Sequence, residues 1–468
     1  MPGQPALGKR AQLFMNEFAL RALGATATVL AYAGLCLGVF ARERHRAAEQ
    51  SKLATALAGA GQDRATLVLF GSQTGQAESM AWQTAGWLQA QGEAARVRSL
   101  NETDLSDLQM AQRALFIAST YGEGDAPDGA SLFAGQWMTG ATPPLPNLRF
   151  SVLALGDRQY ADFCAFGRQL DEWLAASGAR REHARVEADN LDAGALETWR
   201  TQVGGSGAAT PSATSIEPLY WQLVAREQVN PGSEGAPLFH VAFAATQGAT
   251  PTWQAGDLVQ LELPADRSRP RDYSAASIPQ DGELHLLVRQ ERHPDGSLGA
   301  ASGLLTQMLP VGASLPLRIR PHPNFQLGDN ARRPLLLIGN GSGLAGLRAL
   351  LRAREALDER RNWLLYGERH GRTDRPYQAD LERWERTGVL ERLDLVFSRD
   401  QPERRYVQHR LLQASELVLD WLERGAAIYV CGSLQGMASG VDAALRQIAG
   451  EERMRELVRQ GRYRRDVY

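Results

Sequence analysis

The chain reads as α/β plus β: a doubly wound parallel sheet, then an antiparallel β-barrel, then a second parallel sheet, with one N-terminal transmembrane helix. Three observations predict this. Short apolar runs alternate with amphipathic stretches in residues 66–203 and again from 334, the pattern of strands buried between helices. Residues 218–330 carry strand-like runs punctuated by Gly and Pro, as antiparallel barrels and sandwiches do. Residues 22–41 are 20 positions without a charge, enough for a helix to cross ~30 Å of hydrocarbon.

The length of 468 residues suits about three domains. A net charge of −2 hides an asymmetry: residues 66–203 hold 17 Asp/Glu against 10 Arg and no Lys, whereas the remainder beyond 203 is near neutral. An acidic domain offers a docking face for a basic partner, and no nucleic-acid partner is expected. The three cysteines, Cys36, Cys164 and Cys431, are too few and too odd for a disulfide framework and point to a reducing compartment. No metal site is expected.

At the N-terminus, residues 1–21 precede the expected membrane helix 22–41. Ala31–Tyr32–Ala33 resembles a signal-peptide cleavage site, but apolar residues continue beyond it. A retained anchor is therefore expected. Lys9, Arg10 and Arg21 nearly balance Arg42, Arg44, Arg46 and Lys52, with a lean toward a cytoplasmic C-terminal side. This predicts a single-pass protein of the inner (cytoplasmic) membrane with its catalytic domains in the cytoplasm. Residues 42–65 read as a tether, and the Gly/Ser/Ala/Thr/Pro-rich 204–217 as a flexible linker.

Runs at Thr66–Phe70, Ala114–Ala118 and Ser151–Leu155 read as buried strands, with helices at Glu78–Ala90 and Phe166–Ala176. The first strand runs into Gly71-Ser72-Gln73-Thr74-Gly75-Gln76-Ala77 and then a helix. Small and hydroxylated residues there expose backbone N–H groups at a helix start, an anion site. The loop has no Lys, so it is not a Walker loop, and a monophosphate held by neutral donors fits better. The second strand ends in Ser119-Thr120-Tyr121-Gly122-Glu123-Gly124, the third in Leu155-Gly156-Asp157-Arg158-Gln159-Tyr160. Ligands of open α/β sheets bind at that edge, and two tyrosines there suit a planar ring.

The second half carries strand-like Leu238–Phe243, Leu258–Leu263, Leu284–Val288 and Ser314–Ile319, then Leu335–Ile338, Asn362–Tyr366, Leu393–Phe397 and Ala427–Val430. Arg271-Asp272-Tyr273-Ser274 follows the strand Leu258–Leu263; Arg pairs bidentately with pyrophosphate and Tyr stacks on a ring. Gly299-Ala300-Ala301-Ser302 opens a helix with small residues. Leu335–Ile338 leads into Gly339-Asn340-Gly341-Ser342-Gly343 between a strand and a helix, as a dinucleotide loop requires. After Phe397, the residues Ser398, Arg399, Arg404, Tyr406 and Gln408 supply the cations and donors that a 2′-phosphate needs. Cys431 ends a further strand, and the chain closes in Tyr463-Arg464-Arg465-Asp466-Val467-Tyr468.

The three loops of the first half closely resemble the flavodoxin domain of the diflavin reductases, the family of the NADPH–cytochrome reductases and the sulfite reductase flavoprotein. The second half resembles ferredoxin–NADP reductases. The implied architecture is a flavodoxin-like FMN domain at 66–203, an FAD-binding β-barrel at 218–330 and a Rossmann-like NADPH-binding domain at 331–468. By this resemblance, Ser72 to Ala77 hold the FMN phosphate. Tyr121 and Tyr160 flank the flavin ring, with Gly122, Gly124, Phe163 and the carboxylate Asp189 nearby. Arg271, Tyr273, Ser274 and Gly299 to Ser302 bind FAD. Gly341 to Gly343, Arg369 and the cluster from Ser398 to Gln408 bind NADPH. Tyr468 stacks on FAD, and Ser274, Cys431 and Asp466 surround the hydride path as catalytic residues.

The sequence departs from the family in three places. Ser342 stands where Thr is usual, Gly346 where Pro is, and Ser433 where Asp follows the Cys. Strand Leu258–Leu263 also reaches Arg271 too soon to admit the family's helical connecting domain. The resemblance implies electron flow from NADPH to FAD to FMN to a one-electron acceptor, a haem protein or a ferric complex. The alternatives are the flavoprotein component of a sulfite reductase and a ferric-siderophore or ferric-chelate reductase.

Overall fold

Strand β1 (Thr66–Gly71) is mostly buried and apolar and lies one strand in from the edge of a parallel sheet. The computed structural model describes residues 65–468 except 74, 122–123, 141, 159–161, 205–218, 247–251 and 264–265, with backbone alone at 266–269, 434 and 435. Around β1 lie β2 (Ala95–Ser99), β3 (Arg113–Ser119), β4 (Arg149–Gly156), β5 (Arg180–Arg181) and β6 (Val186–Asp189). Their order is β2-β1-β3-β4-β5, with β6 also pairing β4, and every pairing is parallel. Helix Ala165–Ala176 covers the sheet with Phe166, Leu170, Trp173 and Leu174, the one-face spacing of an amphipathic helix. Gly167 on that helix lies so close to Ala154 of β4 that a Cβ would overlap it, so only glycine lets helix and strand approach this far.

The next sheet is antiparallel: β7 (Leu219–Gln228), β8 (Leu238–Ala245), β9 (Leu258–Leu263), β10 (Asp266–Ser274), β11 (Leu284–Arg289) and β12 (Ser314–Arg320). The order is β10-β9-β12-β7-β8-β11. Just past β10, the Ala276 N–H donates to the His285 carbonyl of β11 (2.8 Å), drawing the two edges together. Trp221, Phe243, Val259, Leu286 and Leu317 fill the interior. Strands β9 and β10 form a tight hairpin, with Leu263 opposite Asp266, so no connecting domain is inserted between them.

The last sheet is parallel, ordered β15-β14-β13-β16-β17, from β13 (Leu335–Asn340), β14 (Asn362–Glu368), β15 (Arg392–Phe397), β16 (Ala427–Gly432) and β17 (Tyr463–Val467). Successive side chains of a strand point to opposite faces, and both faces are buried here. Leu335, Leu337, Leu364 and Tyr429 pack into one core, Leu336, Ile338, Trp363 and Ile428 into the other.

The expected transmembrane helix is corrected. Among the described residues no helix is long and apolar enough to cross a membrane. The longest is Gln76–Ala90 with 15 residues, and a span needs about 20 apolar ones. Segment 22–41 lies outside the described residues, as do 1–21 and the tether up to 64. Eleven of its 20 residues are Ala, Gly or Thr and seven are Leu, Val or Phe, so its hydrophobicity is moderate. The single-pass topology and membrane partnership drawn from that helix are withdrawn with it.

Candidate active site

The carboxyl edge of the first sheet forms a hollow of about 170 Å³. Gln73, Thr120, Tyr121, Gly156, Asp157 and Asn190 line it, and Val467 reaches in from the C-terminal strand. Ser119, Gln76, Leu155 and Phe163 complete the wall. Gly75, in the left-handed region at φ 84°, turns the chain into helix Gln76–Ala90, whose first turn has no side-chain cap. The leading N–H groups therefore remain available to an anion. The Ser72 and Tyr121 hydroxyls are buried without a partner, a costly state that a polar ligand relieves. Burial pushes the Tyr121 phenol well above its ordinary pKa, and Arg465 pulls it partly back. These orphaned donors and the uncapped helix fit a flavin mononucleotide phosphate.

Asp189 pairs in register with Gly156 and accepts from the Arg158 N–H (3.1 Å), so it sits against the third loop. Gly124 approaches Asp162 of the same loop. Cys164 lies under the loop, its thiol raised to about 12 by burial and then by Glu187. Thr74, Gly122 and Tyr160 lie outside the described residues.

Strand β10 presents half-buried Arg271 and Tyr273 and buried Ser274. The Ser274 hydroxyl donates to Asp466 Oδ2 at 2.6 Å, and the Cys431 thiol faces the same oxygen at 3.7 Å. Parallel pairing of β16 and β17 places Asp466 opposite Cys431. Burial, followed by the Asp466 charge, raises the Cys431 thiol well above its ordinary pKa, so it stays protonated. Tyr468 follows, half exposed, its hydroxyl donating to Ser342 Oγ (3.1 Å). The four residues expected around the hydride path thus come together from three parts of the chain. The turn Gly299–Gly303 is tight: the Ser302 hydroxyl accepts from the Glu291 N–H (3.1 Å), and Ala300 and Ala301 start the helix.

A cleft of about 750 Å³ opens beside Tyr468. Gly341, Ser342, Arg369, Ser398, Arg399, Tyr406 and Gln408 line it. The buried Gln408 Oε1 has no partner, which again fits a bound polar group. Gly343 packs so closely on the Cys431 carbonyl that a Cβ would overlap backbone. Arg399, backed by Arg404, holds the exposed Tyr406 phenol below its ordinary pKa, a convergence of cations suited to a phosphate. Sequence reasoning missed Arg405 and Arg289, which also line the cleft. Arg405 was legible as the neighbour of Arg404, whereas Arg289 ends a barrel strand and carries no local signal. It pairs with Glu368 at 2.7 Å.

Comparisons with known proteins agree with this arrangement. Residues 68–200 match the flavodoxin family, and residues 337–443 match the oxidoreductase NAD-binding domain. The sulfite reductase [NADPH] flavoprotein alpha-component of Vibrio cholerae serotype O1 is 28% identical, over 86% of this chain and 87% of its own. That of Bacillus subtilis is 27% identical over 86% and 89%. The Vibrio alignment runs over 535 positions, more than this chain possesses, so the relative carries residues with no counterpart here. The inner-membrane location is also corrected, because nothing in these relatives' names or in the described helices supports it. With FMN, FAD and NADPH as its cofactors, the chain is an NADPH-dependent oxidoreductase, and these matches support the diflavin reductase family, in a minimal form without the helical connecting domain.

Proposed function

We propose that this chain is the NADPH-oxidising flavoprotein that supplies a sulfite-reducing haemoprotein with electrons one at a time. The observation that carries this reading is the match to sulfite reductase [NADPH] flavoprotein alpha-components over 86% of the chain. When bound, FAD would take one hydride, and with it two electrons, from NADPH, and FMN would release electrons singly.

The protein's own contribution is positional. Residues 66–203 serve as the FMN domain, 218–330 as the FAD barrel and 331–468 as the NADPH domain. Arg399, Arg404 and Ser398 grip the 2′-phosphate, and Tyr406 stacks on adenine. Gly341 to Gly343 cradle the pyrophosphate. Ser274 and Asp466 form a hydrogen-bonded pair beside the neutral Cys431 thiol. The pair keeps a buried carboxylate satisfied where the nicotinamide must approach. Tyr468 covers the ring face until the nicotinamide displaces it. In the FMN domain, Ser72 and the first turn of helix Gln76–Ala90 hold the phosphate, and Tyr121 flanks the ring.

The test is to mix purified protein and NADPH in turn with a sulfite reductase haemoprotein, cytochrome c and ferric chelates. Turnover with the haemoprotein at submicromolar KM is expected. Saturable turnover with a ferric chelate alone would favour ferric reduction and overturn the sulfite assignment.

A further inference from the structure

Side-chain contacts join the FMN-loop residues to the reductase half, and Arg465, Asp128 and Asn324, which carry them, line neither the FMN hollow nor the cleft beside Tyr468. Arg465 Nε donates to Asp128 Oδ1 at 2.9 Å, and its guanidinium lies 5.1 Å from the centre of the Tyr121 ring. Gln73 Nε2 donates to the Arg465 carbonyl (3.2 Å) and to Asp128 Oδ2 (3.0 Å). Asn324 Nδ2 donates to the Gln73 carbonyl at 2.8 Å. The Arg465 and Asp128 side chains are only 16% and 20% exposed, so the pair is shielded from water and salt far more than a surface ion pair.

Strand alternation explains how one short segment serves two sites. Arg465 and Asp466 are neighbours on β17 and therefore face opposite ways. Asp466 meets Ser274 and Cys431, while Arg465 meets Asp128 and Tyr121. Parallel pairing to β16 fixes both.

We propose that Arg465 and Asp128 form an intramolecular docking latch, which holds the FMN domain against the C-terminal strand for flavin-to-flavin transfer and does so in place of the absent connecting domain. This rests on the diflavin reading above. Val467, two residues on, lines the FMN hollow, so the latched strand also closes one side of that hollow.

The test uses the full flavin-loaded chain with Arg465→Gln, Asp128→Asn and the double exchange Arg465→Asp/Asp128→Arg. Two quantities are read: solution radius of gyration by small-angle scattering, and the FAD and FMN reduction phases after rapid mixing with NADPH. Each single variant is expected to expand the particle and to slow the FMN phase about tenfold or more, with the FAD phase within twofold of the parent. The exchange should recover at least part of both. Unchanged compactness and an unchanged FMN phase in the singles would overturn the latch, as would an exchange no better than either single. If FAD in the parent is not reduced at all, the diflavin reading fails instead, and the scattering arm still decides the latch.

Discussion

A buried carboxylate needs donors, and Asp466 finds them in the Ser274 hydroxyl at 2.6 Å and the Cys431 thiol at 3.7 Å. Ser274→Ala removes the shorter bond and leaves part of a buried charge unsatisfied, which costs about 1–3 kcal/mol. Hydride transfer is therefore expected to slow by roughly 10- to 100-fold with little change in NADPH affinity, measured by rapid mixing under anaerobic conditions. A fall in affinity with an unchanged rate would remove Ser274 from the hydride path. At the phosphate end, Arg399→Ala removes a charge-assisted bond worth about 1.5–3 kcal/mol. KM for NADPH should rise roughly 10- to 100-fold while KM for NADH hardly moves; equal rises for both would mean that Arg399 does not read the phosphate. Tyr468→Ala should alter the NADPH/NADH preference, and an unaltered ratio would exclude it as a gate.

At the scale of elements, the barrel and the NADPH domain meet through side chains that respond to pH. His240 on β8 accepts from or donates to the Tyr377 hydroxyl at 3.0 Å, with His285 4.8 Å away ring to ring. Burial, then the neighbouring His285 and Arg348, depress His240 to about 4, against a partial counter-effect of Asp380. His285 is depressed as well, by burial and then Arg348. Both are neutral in the fold, so the unfolded chain takes up more protons as pH falls below about 6.5. Stability is therefore retained above that value and lost between about pH 6.5 and 4. His240→Phe should flatten the acid limb of a melting-temperature profile; an identical profile would place the acid sensitivity elsewhere.

The same scale shows what the sequence made legible. Strands whose residues are apolar on both faces, such as β1, β13 and β16, were visible as continuous runs. Strand β17 was not, because Tyr463-Arg464-Arg465-Asp466-Val467 is mostly polar. It is a strand because β16 offers it a parallel edge and because its charges meet Asp128 and Ser274, partners far away in the chain. Strand β10 escaped notice for a similar reason: Pro270 and three arginines interrupt the apolar pattern. The loops proposed to hold phosphates stood out because glycines and hydroxyls sit between a strand and a helix. Arg289 was not, since only tertiary folding carries the end of β11 to the cleft. The membrane helix was read from 20 uncharged positions at 22–41, which lie outside the described residues, and no helix among those described is long and apolar enough to cross a membrane.

The barrel and the last sheet share one core, where Leu238, Ala276 and Leu287 pack with Leu335 and Leu347, whereas the first sheet meets them through side-chain contacts such as Arg465–Asp128. Without the helical domain of its relatives, flavin-to-flavin transfer depends on side-chain contacts between the halves. The Arg465–Asp128 pair is shielded, but the exposed charges that steer the acidic FMN domain back to its docked place are screened over a Debye length of about 10 Å at 0.1 M. The FMN phase is expected to slow as ionic strength rises, while the FAD phase holds; rapid-mixing traces that do not change with salt would contradict that dependence.

The central claim is a two-flavin relay that starts from NADPH. It is tested most directly by anaerobic titration of the purified, reconstituted chain with NADPH, with FMN and FAD released and quantified from the same sample. The account predicts one FMN and one FAD per chain and full bleaching of both at two equivalents of NADPH. A single flavin type, or bleaching that stops at one equivalent, would contradict it.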